Sequence, residues 1–278
     1  MNGGAGIPTI VLGGTGYVAG ELLRLIAGHP SLHLIAVLSD SQPGEPVAAA
    51  FPHLRNVYPQ TVFSSLGEIE ALVQRTPDIA LFSAAPHGVS AAMVDRLLST
   101  AQSSGTTVRC VDISADYRYS SAQDYERVYK HPHGAPLRIR EFTCAVPEHL
   151  KAAPTPHVAH PGCFATATLL AGMPLLSLGL AVPQLFVAGI TGSTGSGRKP
   201  TDGTHHPQRH SDLYSYGALA HRHAPEIAAC AKAGSGVTAE FNFVPHSGPF
   251  ARGIHVTVQA ALKSPLSSGQ ALEALHAF

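Results

Sequence analysis

The residues best equipped for chemistry lie in His160-Pro161-Gly162-Cys163-Phe164-Ala165-Thr166-Ala167-Thr168, where a cysteine follows a Pro-Gly turn and precedes a helix-length apolar run, Phe164 to Leu178. A thiol in the first turn of a helix meets N–H groups with no intrahelical partner and the positive end of the macrodipole, which favour the thiolate. A thiolate so placed attacks a carbonyl carbon near neutral pH. Burial as an inert small side chain is the commoner fate of a cysteine, so Cys163 needs partners. His221-Arg222-His223-Ala224-Pro225-Glu226-Ile227 supplies them: Pro225 reads as a first-turn proline, and Glu226 is a carboxylate able to orient a ring. His223 oriented by Glu226 is the first choice for acid and base, with His221 in reserve. Seventeen histidines, notably His205, His206, His210, His221 and His223, also raise metal ligation. No acidic or cysteine partner falls at a familiar zinc spacing, and no metal is expected.

A second constellation lies near the start. Ile7 to Leu12 reads as a short buried strand, followed by Gly13-Gly14-Thr15-Gly16-Tyr17-Val18-Ala19 and the amphipathic run Glu21 to Ala27. Strand, glycine turn and helix in that order, with Gly13, Gly16 and Ala19 three apart, fit a dinucleotide fingerprint in which bare backbone lets a pyrophosphate approach a helix N-terminus. A glycine-rich turn that binds nothing is the bland alternative. The next strand, Leu32 to Leu38, ends in Ser39-Asp40-Ser41, where such a unit meets the adenosine ribose.

These residues need a frame. Alternation continues through a helix near Leu66–Gln74, a strand at 78–82, a turn at Ser83–Gly88, a helix from Val89 to Ser99 and a strand from Val108 to Ile113. Such βαβ order predicts a parallel sheet with ligand loops at 13–16, 39–41, 83–88 and 114–118. Residues 120–156, richer in Pro, His and charge, read as a peripheral segment crossing into a second domain. There the strands Leu185–Ile190, Glu240–Val244 and Gly253–Leu262 predict an α+β domain with a mainly antiparallel sheet. The expected division is 1–157, a Rossmann-type nucleotide domain, and 158–278, a catalytic domain. Between its strands, Thr191-Gly192-Ser193-Thr194-Gly195-Ser196-Gly197-Arg198-Lys199 reads either as a loop that holds an oxyanion or phosphate, or as a mobile linker.

Composition narrows the classes. Across 278 residues the formal charge is zero, 13% of residues are charged and 45% are hydrophobic. Balanced charge gives no electrostatic hold on nucleic acid or an anionic membrane. No apolar run has membrane-span length and the start lacks signal-peptide order, so a cytoplasmic enzyme is expected. The four cysteines, 110, 144, 163 and 230, lack close spacing and are expected to be reduced thiols.

Taken together, the motifs resemble the N-acetyl-γ-glutamyl-phosphate reductases, within the aspartate-semialdehyde dehydrogenase superfamily. The resemblance covers nearly the whole chain: Gly13–Leu23, Ala85–Ser90, Asp112–Arg118, Val146-Pro147-Glu148, Pro161–Ala167, Gly192–Arg198, His221–Ile227, Phe243–His246 and Arg252-Gly253-Ile254. It implies reduction of a small-molecule acyl phosphate to an aldehyde with NADP, through a thioester on Cys163. It further implies cofactor contacts from Gly13, Thr15, Gly16, Tyr17, Val18, Ser39, Ser41, Pro86, Ser193 and Gly195, and a homodimer or homotetramer. Arg118, Arg198 and Arg252 are candidates for the substrate's phosphate or carboxylate, since a guanidinium holds either through two parallel bonds. His87 joins them by resemblance.

The chain also departs from that pattern. Asp40 stands where relatives carry an arginine for the 2′-phosphate of NADP, and an acid there suits a ribose diol, so NAD use is the alternative. His160 replaces a usual asparagine. The chain ends at Phe278 within an apparent helix, where relatives continue with a segment that returns to the nucleotide domain; that segment is expected to be absent. Other readings are a sibling acting on an aminoadipyl phosphate, a catalytically silent relative, and a cofactor-free cysteine hydrolase.

Overall fold

Four strands of six residues and two of three set the first layer. Strands β1 (Ile7–Leu12), β2 (Leu32–Val37), β3 (Asp78–Ser83), β4 (Thr107–Asp112), β5 (Phe142–Cys144) and β6 (His157–Ala159) form one sheet, in the order β2-β1-β3-β4-β6-β5. Each pairing from β2 across to β6 is parallel. Helices α1 (Tyr17–Ala27), α2 (Val47–Ala50), α3 (Leu66–Arg75), α4 (Ser90–Ser104) and α5 (Ala122–Tyr129) fill the connections. The α/β reading of the first half therefore holds, with α4 running five residues further than Ser99.

The computed structural model describes residues 6–150 and 154–278. Its contacts divide it into two units: Met1–Thr143 with Ala153–His160, and Cys144–Ala152 with Pro161–Phe278. Residues 151–153 of the expected crossing segment lie outside the described residues.

Chain order reverses between β1 and β3, so the loops at the carboxyl ends of these strands flank a topological switch point, where ligands of parallel sheets bind. Gly13 makes the turn after β1 with φ of 72°, and a Cβ there would lie 2.5 Å from the Ala84 carbonyl oxygen. Gly13→Ala is therefore expected to cost about 2–4 kcal/mol, from the left-handed backbone and the collision together. A urea midpoint equal to that of the wild type would refute this. Leu23, Ile26, Val37, Phe51 and Phe63 are buried around the helix that follows.

Behind the third and fourth strand ends lies a buried polar network. Asp116 accepts the N–H groups of Gly88 and Ala91 at 2.8 and 2.9 Å, tying down the start of α4. Asp112 accepts from the Ser90 and Ser114 hydroxyls, and the Ser83 hydroxyl donates to Ser90 Oγ. Burial lifts the Asp112 carboxyl above its ordinary range, against the pull of the Ser114 and Ser90 hydroxyls.

The second unit has β7 (Ala181–Thr191), β8 (Tyr214–Ser215), β9 (Glu240–Ser247) and β10 (Ile254–Leu262) in the order β10-β7-β9-β8, with α6 (Cys163–Ser177), α7 (His206–Arg209), α8 (Ala224–Ser235) and α9 (Ser268–His276). Pairings β10–β7 and β8–β9 are antiparallel, as expected; the long β7–β9 pairing is parallel, so the sheet is mixed. The parallel pair needs a crossover, and α8 lies within it. Alternate residues of β7 turn inward, and Leu185, Val187 and Phe243 pack with Phe164, Leu169 and Met173 of α6 and Ile227 of α8. Among the described residues no helix is long and apolar enough to cross a membrane.

Candidate active site

Pro161-Gly162 stops the chain's extended course, and Gly162 serves as N-cap, with φ −60° and ψ 159° and no capping side chain of its own. Cys163 is thus the first residue of α6, and it is exposed. Phe164, next along, is buried beneath it and packs edge-on against Phe243 at 5.1 Å between ring centroids. Gly189 of β7 makes room, since a Cβ there would lie 2.6 Å from the Phe164 ring.

Glu226 secures this helix start from across the unit. It stands in the first turn of α8, fully buried, and its Oε1 accepts the Gly162 N–H. The carboxylate expected to orient a histidine therefore also positions the residue before the candidate nucleophile.

Cys163 opens into a cavity of about 600 Å³ whose walls include His221, Arg222, His223, Tyr216, Gly195 and Ser196, a size suited to a small ligand. His221 sits in an aromatic surround, its ring 5.4 Å from Phe243, 5.6 Å from Tyr216 and 4.7 Å from His223. Its Nδ1 accepts the His223 backbone N–H at 3.2 Å, so the neutral ring carries its proton on Nε2. Burial, then the Arg222 charge, pulls the His221 pKa from 6.5 down to about 4. Burial, and next the charge at Cys163, pushes the Tyr216 phenol up. His223 is 5% exposed, the more enclosed ring of the two.

The low His221 pKa has a measurable consequence. The unfolded ring takes up a proton near pH 6.5 and the folded one only near pH 4, so this contribution to stability is complete above about 6.5 and is lost as pH falls through that window. His149 and His157, also lowered by burial, add to the slope. The melting temperature of His221→Asn is expected to fall less steeply than that of the wild type between pH 6.5 and 4; parallel curves would contradict this.

Other expected residues sort differently. Arg118 is buried and donates from Nε to the His160 carbonyl and from Nη2 to that of Ile113, bracing the strand that leads to Pro161. His87 is exposed, and its Nδ1 accepts the Ala115 N–H. Arg198 and Arg252 are exposed and do not line the cavity. The loop after β7 is held in place: the N–H groups of Gly192, Ser193 and Thr194 donate to Gly253, Phe250 and Ala251. Sequence reasoning missed Arg209, which is 6% exposed, donates to Ser193 Oγ and the Ser247 carbonyl, and lies 5.8 Å from the centre of the Tyr214 ring. It also gave no role to Tyr216 or Arg222, both on the cavity wall.

In the first unit the glycine turn fits a dinucleotide. Gly16 is the N-cap of α1 and no side chain caps that helix, so its first amides are left for an anion. A Cβ on Gly16 would meet nothing nearer than 3.7 Å, which leaves room for a phosphate. Ser39 is 2% exposed, with its hydroxyl accepting the Gln42 N–H, whereas Asp40 and Ser41 are exposed after β2.

A glycine turn fit for a nucleotide in one unit and, in the other, an exposed helix-start thiol sharing a cavity with two histidines are the parts of a nucleotide-dependent oxidoreductase. The semialdehyde dehydrogenase NAD binding domain matches residues 9–153, and the semialdehyde dehydrogenase dimerisation domain matches 163–278. The chain belongs to this family, within its N-acetyl-gamma-glutamyl-phosphate reductase branch. A reductase of that name from Ectopseudomonas mendocina is 36% identical over 272 residues, covering 94% of this chain and 74% of the relative. Among solved structures, aspartate semialdehyde dehydrogenase II of Vibrio cholerae complexed with ASA superposes with a TM-score of 0.69 at 13% identity, over 98% of this chain and 79% of that one. Aspartate semialdehyde dehydrogenase with NADP from Candida albicans gives 0.63 at 12%, over 98% and 76%.

Proposed function

We propose that this protein reduces N-acetyl-γ-glutamyl phosphate to N-acetylglutamate semialdehyde with release of phosphate, in arginine biosynthesis. The observation that carries the reading is Cys163, exposed at the start of α6 on the wall of the cavity that also holds His221 and His223. The Cys163 thiolate attacks the acyl carbon, the carbon–oxygen bond to phosphate breaks, and a thioester remains. NADPH, when bound, supplies a hydride to that carbon. First-turn amides of α6 meet the oxyanion then formed on the substrate, each donor worth about 3 kcal/mol. Collapse releases the aldehyde and returns the thiolate.

His223 is the proton carrier, taking the Cys163 proton before attack and steadying the oxyanion as imidazolium. His221, neutral through the physiological range, donates from Nε2 instead. Glu226 positions Gly162. Of the expected anion holders, Arg118 is engaged by the His160 and Ile113 carbonyls and Arg198 and Arg252 lie off the cavity, so Arg222 on the cavity wall is assigned to the substrate's anionic groups. Gly13, Thr15, Gly16, Tyr17, Val18, Ser39, Ser41, Pro86, Ser193 and Gly195 are assigned to the cofactor, within a nucleotide domain of 1–157 and a catalytic domain of 158–278. The second domain associates copies into a dimer or tetramer, in the cytoplasm.

The test runs the reaction backwards: N-acetylglutamate semialdehyde, phosphate and either NADP or NAD, followed by absorbance of the reduced cofactor. Phosphate-dependent reduction is expected, and the preferred cofactor reports what Asp40 does. A folded protein that gives no signal with either cofactor would overturn the proposal.

A further inference from the structure

Two cysteines outside the candidate active site lie against each other. Cys144, the last residue of β5, is half-buried; Cys230, in α8, is 5% exposed and belongs to the core of the second unit. Their sulfurs are 3.6 Å apart, and the Cys230 thiol donates toward the Cys144 carbonyl at 3.6 Å. The two residues are 86 apart in the chain, so only the fold brings them together. Cys110, by contrast, is sealed in the first unit, and burial with nearby Asp112 raises its thiol well above the ordinary range.

We propose that Cys144 and Cys230 are a dithiol modification site, converted by a hydroperoxide into a disulfide that fixes α8. The accessible Cys144 sulfur attacks a peroxide oxygen, the O–O bond breaks, and a sulfenic acid and one water result. The Cys230 sulfur then attacks the sulfenic sulfur, the S–S bond forms, and the hydroxyl leaves as a second water. In sum, two thiols and one hydrogen peroxide give a disulfide and two waters, with two electrons passing from sulfur to oxygen.

Bonding requires the sulfurs to close from 3.6 Å to about 2.05 Å. Glu226 precedes Cys230 by one helical turn and lies on the same stripe of α8. Drawing Cys230 toward Cys144 therefore moves the carboxylate that holds Gly162. Shifts of about 1 Å in positioning groups lower turnover by as much as about 10²-fold. This link to turnover rests on the proposed reaction; the disulfide itself does not.

The first experiment uses Cys163→Ala, which removes the exposed thiol and keeps the other three cysteines. After stepwise hydrogen peroxide, alkylation and peptide mapping, one linked peptide pair carrying Cys144 and Cys230 is expected. Two of the three thiols should be lost to alkylation and recovered with dithiothreitol. Three alkylated thiols, or sulfinic acid at Cys144 without a linked pair, would overturn the site. The second experiment compares oxidised wild type with oxidised Cys144→Ala, and with Cys144→Ser should the alanine variant fold poorly. The wild type is expected to lose about tenfold more turnover than the variant, recoverable by dithiothreitol; equal losses would overturn the effect of α8 on turnover. Reduced wild type without turnover would count against the proposed reaction, and the mapping experiment would then decide the dithiol alone.

Discussion

Cys163→Ala is expected to lower kcat by about 10⁴-fold or more, while the dissociation constant for NADPH changes by less than about twofold. Cys163 opens α6 with its side chain exposed, so alanine removes the sulfur from the surface of the cavity and not from the core. The nucleotide cradle, the glycine turn before α1, is built from other residues. Stopped-flow absorbance gives turnover, and quenching of the wild type with acid should trap a thioester that the variant lacks. Turnover in Cys163→Ala within tenfold of the wild type would end the covalent mechanism. Loss of NADPH binding along with turnover would show that the thiol serves the cradle instead.

Glu226→Ala should have the next largest effect, on both stability and rate. Its carboxylate is fully buried and accepts the Gly162 N–H, so alanine leaves that amide without an acceptor and opens a hole between α6 and α8. A hydrogen bond to a buried charge is worth about 2–3 kcal/mol, and a loss of that order is expected in urea melts. Glu226→Gln keeps an oxygen for the same amide and should recover most of the stability. If Glu226 only holds Gly162, the glutamine variant should also recover most of kcat. A glutamine variant that is stable yet slow by about 10²-fold would instead assign the charge itself to orienting His223, as the sequence suggested. Comparing kcat with KM separates the cases, since a displaced nucleophile lowers kcat while leaving KM nearly intact.

The first unit was legible because its signals are local. Runs such as Ile7–Leu12 and Asp78–Ser83 have strand length, end at glycine or at serine before a Pro-His-Gly turn, and alternate with amphipathic helices. The first turn of α6 was equally readable, since the Pro161-Gly162 turn stands directly before a helix-length apolar run. What escaped reading depends on distant pairs. Strands exposed on one face alternate in the same way whichever direction they run, so nothing in Glu240–Ser247 announces a parallel partner in β7. Arg209 sits in a four-residue helix and meets Ser193 and Ser247, 16 and 38 residues away, separations that no periodicity links. Glu226 was read as the orienter of a histidine, but its bond to Gly162 spans 64 residues and needed the packed unit to be seen. The loop after Thr191 read equally as an anion-holding loop or as a mobile linker; its first three amides bond to the turn before β10, a long-range pairing that the sequence does not announce.

Asp40 stands exposed just past β2, while Ser39 beside it is buried with its hydroxyl bonded within the turn. Exchange of an exposed loop side chain commonly shifts stability by no more than about 0.5 kcal/mol. Under the proposed function this position is therefore nearly free of folding constraint and can follow the nucleotide bound. If Asp40 meets the ribose as proposed, a change between phosphorylated and unphosphorylated dinucleotides at this point would need no compensating change in the core.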